Sequence, residues 1–102
     1  MSSSLQGYDI DGVLTAGIKP IGDFVIISGR TFAEYDDLCR QLAQTAPLYI
    51  RGIGTFGDRV AAGNFKAMII NHLGVSIFHE DDKTQVEIIK QSCPNTIVKI
   101  IE

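Results

Sequence analysis

Three groups of residues in this chain have the types and spacing to do chemistry. The first is Asp9-Ile10-Asp11-Gly12, two carboxylates two positions apart with a glycine directly behind them. On an extended segment such a pair shares one face, because side chains alternate with a period of two. Gly12 lets the chain leave the strand tip through a backbone conformation that a Cβ resists. Carboxylates this close repel, and a cation or a shared proton relieves them. The arrangement suits one carboxylate attacking while the other moves a proton, with Mg²⁺ beneath. The plain alternative is an Asp-Gly turn that ends a strand. The second group, Ser28-Gly29-Arg30, closes an apolar run, and the third, Glu80-Asp81-Asp82, follows another.

The elements that must position these groups alternate in type. Leu5–Ile10 reads as a short first strand, and Phe24–Ser28 (FVIIS) as one buried on both faces. Val13–Asp23 carries Gly17, Pro20 and Gly22 and no helical period, so it reads as loop. Thr31 with Glu34 forms a capping-box pattern, and the helix it opens carries Tyr35, Leu38, Cys39, Leu42 and Ala46 before Pro47 stops it. Leu48–Ile53 reads as a third strand. A second helix spans Ala61–Leu73, with Ala62, Phe65, Met68, Ile69 and Leu73 on one stripe and Gly74 behind it. Val75–His79, a helix over Lys83–Ser92, and Ile97–Ile101 complete the chain. Strands alternating with helices imply a parallel, three-layer α/β/α sheet of Rossmann-like kind. In such a sheet the carboxyl ends share one edge, where ligands bind. All three polar groups follow predicted strands, so they converge there.

Length and composition frame this reading. The 102 residues fit a single domain spanning 1–102, with 45% hydrophobic and 21% charged residues. A net charge of −3 argues against a general nucleic-acid footprint, though not against a local basic rim. Cys39 and Cys93 lack metal-type spacing and read as reduced, buried thiols. The opening MSSSLQG has no signal character, and no apolar run reaches membrane-spanning length. A cytoplasmic protein with no membrane contact is the expectation.

In this order the three groups resemble the motifs of the haloacid dehalogenase-like (HAD) phosphohydrolase superfamily. An apolar strand followed by D-x-D-G matches Asp9-Ile10-Asp11-Gly12, and an apolar strand ending in Ser matches Phe24–Ser28. A Lys before the last acidic motif matches Lys66 in Gly63-Asn64-Phe65-Lys66, and the acidic motif itself matches Val75–Asp82. The run Asp81–Val86 is similar to the phosphatase half of phage polynucleotide kinase-phosphatases. The resemblance covers nearly the whole chain, from about Leu5 to Ile101.

It implies a five-stranded sheet of order 5-4-1-2-3 and a Mg²⁺-dependent phosphatase. Asp9 would be the nucleophile that forms an aspartyl-phosphate, and Asp11 the acid and then base. Ser28 would hydrogen-bond the phosphoryl group, Lys66 would offset its charge, and Gly29 and Arg30 would extend the substrate site. Mg²⁺ would be held by the Asp9 carboxylate, the Asp11 main-chain carbonyl and a fourth-motif carboxylate, Asp81 before Asp82, with Glu80 a spectator. Each residue also has a plainer reading. Ser28 can simply end a strand, Lys66 can be a solvated helix residue, and Arg30 either caps the site or pairs with Glu34.

Only about a dozen residues separate Gly12 from the second strand, too few for the cap domain that most relatives carry. A capless site stays open, which implies a substrate that covers it, such as a nucleotide or nucleic-acid end. A homo-oligomer or partner protein over the site is the other expectation, as is thin cover of the sheet near Ile10 and Phe24. The rival function is an inactive HAD-fold module that binds a metal or partner. A phosphoacceptor domain of the response-regulator kind fits D-x-D-G after the first strand less well.

Overall fold

Strands form where β-branched and aromatic residues concentrate. The computed structural model describes residues 5–55 and 57–102 and has five strands; residues 1–4, read above for signal character, lie outside the described residues. β1 (Gln6–Tyr8), β2 (Phe24–Thr31), β3 (Leu48–Gly52), β4 (Ile77–Glu80) and β5 (Ile97–Ile100) form one all-parallel sheet. Its order, β3-β2-β1-β4-β5, is the expected 5-4-1-2-3 read from the other edge.

Helices α1 (Asp37–Ala43), α2 (Arg59–Leu73) and α3 (Lys83–Ser92) cover both faces. On one face Val25, Ile27 and Phe78 pack against Ala67 and Ile70 of α2 and Ile89 of α3. On the other, Ile10 and Ile26 pack against Cys39 of α1. Cys39 and Cys93 are free and buried, one in each cluster. No helix among the described residues is long and apolar enough to cross a membrane.

Four expectations need correction. The first strand ends at Tyr8, not Ile10, because the chain winds into a tight turn over Ile10–Leu14. Leu14 and Thr15 amides bond back to the Asp9 and Ile10 carbonyls, and Gly12 takes φ +82°. Asp11 therefore leaves the alternation that would have aligned it with Asp9. That turn also removes the thin cover expected near Ile10: Ile10 is fully buried, and Leu14, Leu38 and Leu42 pack around it.

The helix expected from Thr31 is split. The capping box does form, with Thr31 N and Oγ1 both bonded to Glu34 Oε1 at 2.8 and 2.7 Å, but it closes a single 3₁₀ turn, Phe32–Glu34. Arg30 Nη1 donates to the Glu34 carbonyl at 3.1 Å, taking the acceptor a continuous helix would offer to Leu38. The helix restarts at Asp37 with Asp36 as its cap.

Finally, of the stripe expected on α2, Ala62 is buried and Phe65, Ile69 and Leu73 pack against the core, but Met68 points out at 60% exposure. The fully inward side also takes Gly63, Lys66, Ala67 and Ile70. Small residues decide this. A Cβ at Gly63 would lie 3.0 Å from Ile88 Cδ1, so the α2–α3 contact is close enough to select that side.

Phe78 lies fully buried in the larger cluster. Phe78→Ala is expected to cost about 3–5 kcal/mol, seen as a lower urea midpoint with an unchanged slope. A loss under about 1 kcal/mol would mean that the face under α2 and α3 is not the principal core.

Candidate active site

β1 and β4 pair in register, with Tyr8 opposite His79 and the Asp9 amide bonded to the His79 carbonyl at 3.2 Å. The next residues, Asp9 and Glu80, therefore stand side by side on the α2 face of the sheet. Both are buried, at 5% and 0% exposure. Between them α2 delivers the Lys66 ammonium, 3.2 Å from Asp9 Oδ1 and 2.6 Å from Glu80 Oε1. The helix can come this close because β2 carries Gly29 at the contact: a Cβ there would lie 2.6 Å from Ala62 Cβ.

The other oxygen of Glu80 accepts the Asp81 and Asp82 amides, each at 3.2 Å, and so folds the turn that leads into α3. In that turn the Asp81 carboxylate lies over Gly12, where a Cβ would come within 2.0 Å of Asp81 Oδ2. Gly12 is the residue that lets the two loops meet. Asp9, Glu80 and Asp81 each present an oxygen within 4.8 Å of the others'. Three hard carboxylate oxygens beside a glycine-lined turn are a donor set that fits Mg²⁺.

Around this cluster lies an open cleft of about 430 Å³, lined by Asp9, Asp11, Ser28, Arg30, Lys66 and Asp81 among others. The structure thus brings together most of the residues singled out in the sequence, but it uses some differently. Asp11 is turned to the α1 side, with both carboxylate oxygens on Arg30 at 2.7 and 2.8 Å. Ser28 is buried, its Oγ accepting the Arg30 amide at 3.1 Å, which leaves its own O–H to donate into the cleft. Gly29 acts through its lack of a side chain, and its carbonyl accepts Arg51 Nε at 3.1 Å. Asp82 caps α3 by accepting the Gln85 amide at 2.9 Å and pairs with Arg59 at 3.2 Å, so it stands outside the acidic cluster. Glu80, set aside as a spectator, stands inside it. The signal for Glu80 was present in the pairing of β1 with β4, but register is invisible in one chain's sequence.

The charges follow from burial. Burial pushes the Glu80 carboxyl up to about 8 despite Lys66 beside it, and Asp9 adds to the push. Burial likewise raises Asp9, against the pull of Lys66. Burial alone would lower Lys66, but the two carboxylates outweigh it and hold the ammonium above its ordinary range. One ammonium faces two carboxylates, so one negative charge is in excess, and a proton or a cation neutralises it.

Set against models of known protein families, curated proteins and solved structures, the chain matches none.

Two outcomes are expected. Lys66→Met leaves two buried carboxylates without a counter-charge and should cost about 3–5 kcal/mol by chemical denaturation at neutral pH. A smaller loss at pH 5 than at pH 8 is part of the expectation, because protonation then replaces the lost cation. For the wild type without metal, a folded-state value raised from 4.5 to about 8 means that the Glu80 contribution is full below 4.5 and disappears as pH rises through about 8. If the cluster holds a divalent cation, added Mg²⁺ would take the ionised oxygens and reverse the slope, its thermal stabilisation growing from about pH 6 to about pH 9. Stabilisation by Mg²⁺ that ignores pH would remove these carboxylates from the binding site.

Proposed function

We propose that this chain is a Mg²⁺-dependent phosphatase of the HAD kind that works through an aspartyl-phosphate on Asp9. The observation that carries the reading is the buried Lys66 ammonium bridging Asp9 and Glu80 beside Asp81, at the carboxyl edge of a parallel sheet. Phosphoryl transfer asks for little beyond a positioned nucleophile and fixed positive charge where oxygens gather it.

In the first step the Asp9 oxygen not bonded to Lys66 attacks phosphorus, and the bond to the leaving oxygen breaks. Asp11 leaves Arg30, takes up a proton from solvent and gives it to that oxygen. Lys66 Nζ faces the phosphoryl oxygens, and the Ser28 hydroxyl donates to one of them. In the second step a water attacks the same phosphorus, Asp11 takes the water's proton, and the bond to Asp9 breaks to release inorganic phosphate. Asp9, Glu80 and Asp81 would hold Mg²⁺, with the Asp11 main-chain carbonyl as a further ligand. When bound, the ion neutralises the carboxylates so that an anionic phosphate can approach them.

Nothing in the described structure closes over the cleft, which favours a substrate that covers it. The class to test first is a nucleotide or a nucleic-acid 3′-phosphate, with Arg51 and Arg59 on the cleft wall to meet its anionic backbone.

The test is hydrolysis of an aryl phosphate, then of nucleotides and 3′-phosphorylated oligonucleotides, by wild type and Asp9→Asn. Turnover should require Mg²⁺, stop with chelator, and fall at least about a thousandfold in Asp9→Asn while the thermal transition persists. Activity that survives Asp9→Asn would sink the mechanism. A folded wild type that binds Mg²⁺ and hydrolyses none of these esters would put the metal- or partner-binding module in its place.

A further inference from the structure

Arg30 is the most completely engaged side chain in the cleft. A guanidinium has five N–H donors in a fixed plane. Nε and Nη2 of Arg30 take both oxygens of Asp11 at 2.8 and 2.7 Å, the fork geometry that makes a bidentate pair. Nη1 reaches Asp36 Oδ1 and the Glu34 carbonyl, each at 3.1 Å, and Cys39 Sγ at 3.5 Å. The Arg30 side chain is 12% exposed, whereas Asp11 and Asp36 are 59% and 57% exposed. The cation is largely buried; of its two exposed carboxylates, Asp36 is tied to the start of α1, whereas the side-chain bonds of Asp11 among the described residues are all to Arg30.

We propose that Arg30 and Asp36 are a positioning pair for Asp11. Together they hold its carboxylate on the α1 side of the cleft, away from the Asp9–Glu80–Asp81 cluster, and release it to the substrate. The consequence for turnover rests on the phosphatase reading; the pair itself rests on geometry. A fourth carboxylate free beside the three of the cluster would fall onto any cation bound there and be lost to proton transfer. Arg30 prevents that by offering Asp11 a better-shaped partner. Because its planar edges are occupied, Arg30 does not grip the phosphoryl group directly.

Asp36 makes the hold reversible. When Asp11 swings toward the substrate, Asp36 stays on Nη1, so the half-buried guanidinium keeps a counter-charge. The same Asp36 oxygen accepts the Cys39 amide at 3.1 Å and caps α1, which ties the start of that helix to the position of Arg30. Without Asp36, Asp11 would be the only counter-charge and would be held harder.

The experiment is a double-mutant cycle on an aryl phosphate, with Arg30→Lys and Asp36→Ser each made in wild type and in Asp11→Asn. Lysine keeps the charge and loses the fork; serine keeps an N-cap oxygen and loses the charge. Each single variant should lower kcat about tenfold with KM unchanged, a part of what a positioned acid–base group contributes. Neither should lower kcat further in Asp11→Asn, because both act through that residue. A rise in KM in Arg30→Lys that persists in Asp11→Asn would make Arg30 a phosphoryl ligand and overturn the proposal. The second readout needs no turnover: the Arg30 Nε–H resonance of the metal-free protein. A slowly exchanging signal that disappears in Asp11→Asn and persists in Asp36→Ser is expected. A signal indifferent to Asp11→Asn overturns the pair. The expected signal in a protein that hydrolyses nothing supports the pair and removes the phosphatase reading instead.

Discussion

The fold is built around a buried ammonium group. Lys66 lies on the buried side of α2 with 1% of its side chain exposed, and it survives there because two carboxylates meet it. Taking three charged groups out of solvent costs several kcal/mol per ion, and such clusters are seldom more stable than an apolar replacement. Everything nearby serves to make the arrangement tolerable. Gly29 and Ala62 let α2 approach β2, Gly63 lets it approach α3, and the in-register pairing of β1 with β4 sets the two acids side by side. The apolar clusters on the two faces of the sheet supply the stability that this centre does not.

The same constraint explains which parts of the structure were legible in the sequence. Apolar runs and their stops are local, so the last four strands and the helices before Gly74 and Pro94 could be read directly. The first strand, Gln6-Gly7-Tyr8, carries no apolar run and ends short of the expected Ile10. Sheet order came from a family resemblance, not from periodicity, and the observed sheet has that order. What could not be read depended on contacts distant in sequence. A 3.6-residue period puts Met68 inside and says nothing of Lys66, because it scores apolarity and cannot see two acids waiting on neighbouring strands. The capping box at Thr31 was correct as local chemistry, yet Arg30 took the carbonyl that the helix needed to continue. Glu80 was one position from the residues favoured for the cluster, and only the register of β4 against β1 turns it inward.

The two carboxylates of the D-x-D-G segment show what the turn at Gly12 achieves. Had the strand continued to Ile10, alternation would have set Asp9 and Asp11 on one face as like neighbours. Instead the turn sends them to opposite sides of the strand tip, each with a cation from a different element. Asp9 is buried against Lys66 on the α2 side; Asp11 is exposed against Arg30 on the α1 side. Two chemically identical groups thus acquire different surroundings, which under the proposed phosphatase reading would give one acid a fixed role and the other a mobile one. The buried partner suits a nucleophile, whose position must not vary. The exposed one would suit the proton transfer proposed for it, in which it reaches first a leaving oxygen and then a water. Asp9 and Asp11 would crowd each other and compete for the same cations without such separation, and the left-handed conformation of Gly12 lets the chain provide it.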